Sequence, residues 1–263
     1  MRLLTRSLGL GLAAAVSLFQ HDAAADPIAC AEQADGEYVR IDFGTGITDT
    51  IGPLAQYFLV GAFAGDDFSR EYAIEYPSGD LYSIDTATAQ TRLIGPTDIS
   101  DQIPTAMQWD PVNNYMLLMT DYYSPCDGGN FYALDVATGA AQLIGTQDGC
   151  LAGLAFDADG NAFSIDVAAD TLVELGTGTI GPLGVNVALL SALFFDPSDD
   201  QLYLIAADVD TASNDLFIVD TASGQATLVA PWPDQYSAFA LETGAVTDTV
   251  FANGFDTGAA SAN

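Results

Sequence analysis

The sequence contains no lysine, and its cations are five arginines and a single histidine, His21. It has three cysteines in 263 residues, and 36 acids give it a formal charge of −31. A chain this acidic repels phosphate backbones and anionic lipid, so nucleic-acid binding and charge-driven membrane attachment are excluded as working functions. Cations, cationic partners and neutral ligands remain. Residues 1–25 read as a signal peptide: Arg2 and Arg6 supply the positive start, Leu8 to Phe19 the apolar stretch, and Ala23-Ala24-Ala25 the small-residue cleavage site. Cleavage there takes His21 away and leaves Arg40, Arg70 and Arg92 against 35 acids, the 36 less Asp22. A mature chain without His or Lys has no Ser-His-Asp or Cys-His catalysis, no Schiff base and no His-ligated zinc or haem. After residue 25 no window approaches the roughly 18 uninterrupted apolar residues of a membrane helix. The expected product is exported, monomeric and not inserted in a membrane.

What the sequence does have is 49% hydrophobic residues, enough to bury a full core, and internal repetition. Four segments align without gaps: IDFGTGITDTIGP from Ile41, IDTATAQTRLIGP from Ile84, LDVATGAAQLIGT from Leu134 and VDTASGQATLVAP from Val219. A shorter copy, LVELGTGTIGPL from Leu172, carries Glu174 where the others carry Asp. The acids Asp42, Asp85, Asp135, Glu174 and Asp220 lie 43, 50, 39 and 46 residues apart, a blade-like period. Each copy reads as a hairpin, with a β-branched and aromatic strand (LYSID, FYALD, LFIVD), a Thr-Gly or Ser-Gly turn, and a second strand. The repeated Asp suits that corner because it accepts hydrogen bonds from turn amides.

Two further strands precede each hairpin: QYFLVGAFA and EYAIEY, PTAMQWD and YMLLMTD, LAGLAFD and NAFSID, LLSALFFD and QLYLIAAD. The strands of a blade are termed a to d, from the axis outward. The chain ends are incomplete alone. EYVRID and TDTIGP supply c and d, and the C-terminal YSAFALE and AVTDTVF supply a and b of the same blade, which removes free sheet edges. The expectation is an all-β, five-bladed β-propeller of four-stranded antiparallel blades, spanning residues 37–251 and closed by both termini. A flexible leader at 26–36 and a flexible tail at 252–263 flank it. An irregular sandwich or solenoid of the same strands is the alternative.

The blade text (FDP after strand a, LY-x-ID-x-x-TG, then LIGP) resembles the secreted bacterial propellers grouped as YVTN-like or quinoprotein-dehydrogenase-like repeats, over residues from about 37 to 250. Such propellers include enzyme scaffolds, ligand binders and surface proteins, so the resemblance implies a fold and leaves the activity open. No quinone-linked or haem motif accompanies the repeats, and no cofactor carries over. The ending VFANGFDTG is similar to tails of exported proteins of some Gram-negative bacteria.

Strand alternation sends loops d–a and b–c to one face and loops a–b and c–d to the other. On the second face, Asp66, Asp110, Asp157, Asp196 and Glu242 stand near the ends of strands a, one per blade. Turn hydrogen bonding is the structural reading of such regular acids; weak Ca²⁺ binding there, or in the acidic loops holding Asp157 and Asp159 or Asp208, Asp210 and Asp215, is the functional one. The first face is irregular and loop-rich. It collects Tyr122, Tyr123 and Asp127, with Asp98, Asp101 and Asp148, and the PWPDQY segment holding Trp232, Asp234 and Tyr236. Aromatics beside carboxylates suit a carbohydrate, peptide or protein ligand; packing of loops onto blade edges is the bland alternative. Cys126 and Cys150 both sit in turn-like text and are paired as a disulfide, while Cys30 in the leader is expected as a free thiol. Strand a offers Gly61, Ala62, Ala106, Gly153, Ala192 and Ala238, small residues without a mid-strand carboxylate, where a propeller glycosidase would need paired acids. A non-catalytic binding propeller is the leading reading, ahead of a carbohydrate-active enzyme or a structural surface component.

Overall fold

The computed structural model describes residues 28–242, except 66, 100–101, 111–112, 114, 123–125, 127, 158, 189–190, 198, 209–212 and 233–235. Among the described residues every regular element is a strand. Blade 1 takes β1 (Ile28–Gln33), β2 (Glu37–Asp42) and β3 (Ile47–Pro53) from the start of the chain. Blade 2 follows with β4 (Tyr57–Phe63), β5 (Arg70–Tyr76), β6 (Asp80–Asp85) and β7 (Thr91–Pro96). Blade 3 has β8 (Gln102–Asp110), β9 (Tyr115–Tyr122), β10 (Gly129–Leu134) and β11 (Ala141–Gln147). Blade 4 has β12 (Leu151–Phe156), β13 (Ala162–Asp166), β14 (Thr171–Glu174) and β15 (Gly178–Pro182). Blade 5 has β16 (Ala192–Asp196), β17 (Gln201–Asp208), β18 (Ser213–Val219) and β19 (Ala226–Trp232), and β20 (Tyr236–Glu242) returns to blade 1. The five sheets are four-stranded and antiparallel, ordered β20-β1-β2-β3, β4-β5-β6-β7, β8-β9-β10-β11, β12-β13-β14-β15 and β16-β17-β18-β19. The chain is a five-bladed β-propeller.

Closure differs from the expected split. The C-terminal side contributes one strand, and the N-terminal side three: β1 pairs β20 from Ile28↔Glu242 to Gln33↔Tyr236. Strand b is therefore Ile28–Gln33, read from sequence as part of a flexible leader, and not residues 245–251, which lie outside the described residues with the signal segment and the tail. IACAEQ carries little β-branched text; its small residues are chosen by burial, with Ala29, Cys30 and Ala31 fully enclosed. Arg40 of β2 reaches across β1 to Glu242 of β20 through two hydrogen bonds of 3.0 and 3.2 Å. The arginine side chain is 47% exposed, so this pair adds at most about 1 kcal/mol and acts chiefly as an outer clip.

The repeated motifs explain themselves at the blade edges. In all five blades the outer strand has a β-bulge at one motif position: Ile51, Ile94, Ile144, Ile180 or Val229 is skipped in the register with strand c. Bulges twist an outer edge away from intermolecular pairing. The following residue is Gly52, Gly95, Gly145, Gly181 or Ala230, and in Gly52, Gly95 and Gly181 it faces the next blade's c–d turn. A Cβ on Gly95 would lie 2.2 Å from the Thr138 carbonyl oxygen, and one on Gly181 2.2 Å from that of Ser223. Gly52 meets Thr88 and Ala89 more loosely, at 3.8 and 3.5 Å. The turns are shaped by their acids: Asp85, Asp135 and Asp220 accept from Ala87, Ala137 and Ala222 amides at 2.8–3.1 Å, and Gly139 and Gly224 close the latter two at positive φ. The Asp-to-Gly turn of one blade is thus the plug for the glycine of the preceding one.

Two seams lack this joint. Glu174 does not cap its turn through its side chain as the aspartates do; the turn closes on its backbone carbonyl, and Gly145 has only the Phe131 ring nearby at 3.8 Å. Between blades 5 and 1, Phe43 stacks on Phe194 at 5.6 Å, and the Tyr236 amide donates to Asn214 Oδ1 at 3.0 Å. Gly95→Ala or Gly181→Ala forces backbone apart and should cost about 1–3 kcal/mol in urea unfolding, while Gly145→Ala should stay within about 0.5 kcal/mol. Equal losses at all three positions would refute the plug.

Candidate functional site

The five a strands line a central channel of about 50 Å³, walled by Gly61, Ala106, Gly153, Ala192 and Ala238 among others. Small residues are obligatory there: a Cβ on Gly153 would lie 2.8 Å from Leu193 Cβ, and one on Gly61 2.0 Å from a Glu71 carboxylate oxygen. The volume admits a water or two, far below the roughly 300–1,000 Å³ of small-ligand pockets. The channel cannot hold a glycan between paired acids.

On the loop-rich face, a disulfide joins Cys126 of the β9–β10 loop to Cys150 of the β11–β12 loop, with Cα atoms 4.7 Å apart. It ties blade 3 to blade 4 at a seam where the glycine plug is missing. The segment after Cys126 is pinned by close backbone approach. A Cβ on Gly128 would meet the Gln147 carbonyl at 2.3 Å, and one on Gly129 the Thr120 carbonyl at 1.7 Å. Gln147 Nε2 donates to the Thr120 carbonyl at 3.1 Å, and the Thr120 hydroxyl bonds Gln102 Oε1. Asp121 is fully buried beneath, and a carboxylate oxygen of it and both sulfurs lie within 4.8 Å of one another. With the sulfurs bonded to each other this trio is a structural knot and not a set of thiolate ligands.

The remaining sequence candidates separate. Asp98 and Asp148 are exposed on this face. Tyr122 ends β9 and Trp232 ends β19, with side chains outside the described set; Tyr123, Asp101, Asp127 and Asp234 are also outside it. Tyr236 is 4% exposed and packs with Ala31, Val39 and Ile41. Its reading as an exposed aromatic fails because β20 is covered by blade 5 on one side and lies in the closing sheet.

On the other face two of the described acids, Asp110 and Asp157, serve their own turns. Asp110 accepts from the Asn113 amide and side chain at 2.9 and 2.8 Å. Asp157 accepts from Asp159 and Asn161, so DADGN is a hydrogen-bonded hairpin turn. Asp196 is buried at the end of β16, Glu242 pairs with Arg40, and Asp215 lies half-buried within β18. Asp66 and Asp210 lie outside the described residues, and Asp208 ends β17 with its side chain outside them. Among the described residues Asp110, Asp157, Asp196 and Glu242 bring no three ligating atoms within 4.8 Å of one another; the Asp121–Cys126–Cys150 trio is the one such group.

The structure adds two features that the sequence reading passed over. One is a cleft of about 500 Å³ at the second-face end of blade 3, bordered by Trp109, Tyr115, Asp135 and Gln142. Burial and the neighbouring Asp110 push the Tyr115 phenol upward, so it stays a neutral hydrogen-bonding group. The other is a pair of buried carboxyls, Glu71 and Glu32, between blades 1 and 2.

No family model and no curated protein sequence matches the chain. Solved structures do. A chain of a nidogen/laminin complex is 12% identical with a TM-score of 0.54, covering 83% of this chain and 99% of that one. A protein of unknown function from Bacteroides caccae is 10% identical with a TM-score of 0.53, covering 82% of this chain and 98% of the other. At such identities the likeness is one of fold, the β-propeller.

Two outcomes check the site. Replacing Cys126 and Cys150 by serine opens a loop of 24 residues' separation and should lower stability by about 3 kcal/mol in denaturant unfolding under non-reducing conditions. Asp157→Ala should cost about 1 kcal/mol through its lost turn bonds, with a melting temperature that millimolar Ca²⁺ does not restore. Recovery on adding Ca²⁺ would establish the metal reading of that loop.

Proposed function

We propose that this protein is an exported, non-catalytic, monomeric propeller that binds a partner protein through the loop-rich face around the Cys126–Cys150 bridge. The observation that carries this reading is the bridge itself. It fixes two irregular loops of adjacent blades into one surface, and preorganised loops on a rigid scaffold are where binding concentrates. The disulfide is compatible with export to an oxidising compartment. The charge of −31 favours a partner with a basic surface and makes association salt-sensitive. A chain of the same fold solved in a nidogen/laminin complex is consistent with such a role. The channel of about 50 Å³ weighs against catalysis at the axis.

A second reading, carbohydrate binding, is favoured by the Trp109–Tyr115 cleft, whose volume and aromatic-plus-amide border suit a neutral sugar. The two are separable on protein and glycan arrays. The first expects saturable protein binding that weakens with salt and falls at least about tenfold in Cys126→Ser/Cys150→Ser, with no polysaccharide turnover. Glycan binding lost in Trp109→Ala and unaffected by removing the bridge would replace it with the second. Turnover abolished by substituting Asp98 or Asp234 would make the protein an enzyme.

A further inference from the structure

The seam between blades 1 and 2 is held by two carboxyls in an apolar layer. Glu71 of β5 is fully buried and pairs in the sheet with Phe63 of β4 and Ile84 of β6, both in the apolar cluster of this seam. Its Oε2 accepts a 2.5 Å hydrogen bond from the Tyr38 hydroxyl of β2, and its Oε1 has no partner among the described residues. Gly61 leaves the space it occupies. Glu32 of β1 is 2% exposed and accepts the Phe58 amide of β4 at 2.7 Å. Both bonds therefore cross from the closing blade to its neighbour. The groups facing them are the Cys30 thiol and Tyr38 phenol from blade 1, the Tyr57 phenol from β4, and each other. Arg40, the arginine of this blade, is engaged with Glu242.

An ionised carboxylate in such a layer, without a cation, is strongly disfavoured. Burial raises Glu32 from 4.5 to about 7, its Phe58 bond opposing. Burial raises Glu71 to about 8, with the Tyr38 bond opposing and the charge of Glu32 adding. Burial, then the charge of Glu71, pushes the Cys30 thiol to about 12.

We propose that this seam is a proton-operated latch: protonated Glu32 and Glu71 hold β1 and β2 against blade 2, and their ionisation parts blade 1 from blade 2 and frays the β1–β20 ladder behind it, so that the ring opens there first. The sign follows from linkage. Both groups titrate higher in the folded state than in the unfolded one, so their stabilisation is complete below about pH 4.5 and is lost as pH climbs through 7 and 8. Opening hydrates both carboxylates and uncovers Cys30, the free cysteine of the chain.

Cys30 reports the event directly. Its labelling by methyl methanethiosulfonate in the intact protein is measured from pH 5.5 to 9, relative to the urea-unfolded chain at each pH. Protection should fall at least about tenfold over that range, and Glu32→Gln/Glu71→Gln, which fixes both groups neutral, should hold it within about twofold. The single Glu32→Gln should give an intermediate slope. Amide exchange in the wild type, corrected for intrinsic rates, should accelerate in β1 and β20 ahead of β9. Constant protection, an equal fall in the glutamine variants, or acceleration spread evenly over all blades would each overturn the latch.

Discussion

The molecule depends on one antiparallel ladder, β20 against β1. Every other blade is continuous in sequence and could form its sheet from local hairpins alone. Blade 1 cannot, because its innermost strand lies some two hundred residues from its other three. Until that ladder forms, the ring has two open edges and the inner layer between blades 1 and 2 is wet. The positions enclosed by it are accordingly small or exacting: Ala29, Cys30 and Ala31 on β1, Ala238 and Ala240 on β20. A large residue at any of these would separate the closing blade from one of its neighbours.

The seams around the ring are not equivalent, and their differences explain where the repeats degenerate. At blades 1–2, 2–3 and 4–5 a turn residue of one blade sits on the glycine of the previous outer strand. Where Glu174 replaces the turn aspartate, the joint disappears and a covalent bridge stands at the same seam. Where Ala230 replaces the glycine, stacked Phe43 and Phe194 hold blade 5 to blade 1. The exceptions to the repeat are therefore substitutions of one fastening for another.

The architecture was legible because its determinants are local and repeated: acid, turn, Gly, bulge and Gly recur at fixed offsets. The disulfide was legible because Cys126 and Cys150 both sit in turn-like text, and alternation of strand direction puts both turns on one face of adjacent blades. The closing strand differs from the expectation because β-branched text points to residues 245–251, while a doubly covered strand needs small residues, which IACAEQ supplies. Glu71 escaped for a related reason. In REYAIEY the alternation suggests Tyr and Ile inward and Glu outward, a rule for sheets with one wet face. A propeller blade is covered on both sides, so both halves of the pattern are buried and the usual inference fails. The one available signal was Gly61 on the neighbouring strand, a gap sized for the carboxyl. Tyr236 was misplaced by the same oversight. The aromatic and acidic residues around PWPDQY gave no indication of which would be covered by the next blade.

The route by which the chain reaches this ring has a temporal consequence. The first three strands of blade 1 emerge early from the ribosome or translocation pore, whereas β20 follows only after the other four blades. At roughly 5–20 residues per second, that interval is on the order of 10–40 s. Throughout it β1 is an exposed edge carrying an accessible thiol, and Cys126 and then Cys150 emerge within the same interval. A nascent chain in an oxidising compartment thus has a window for joining Cys30 to the wrong sulfur, and prompt arrival of β20 is what shuts it.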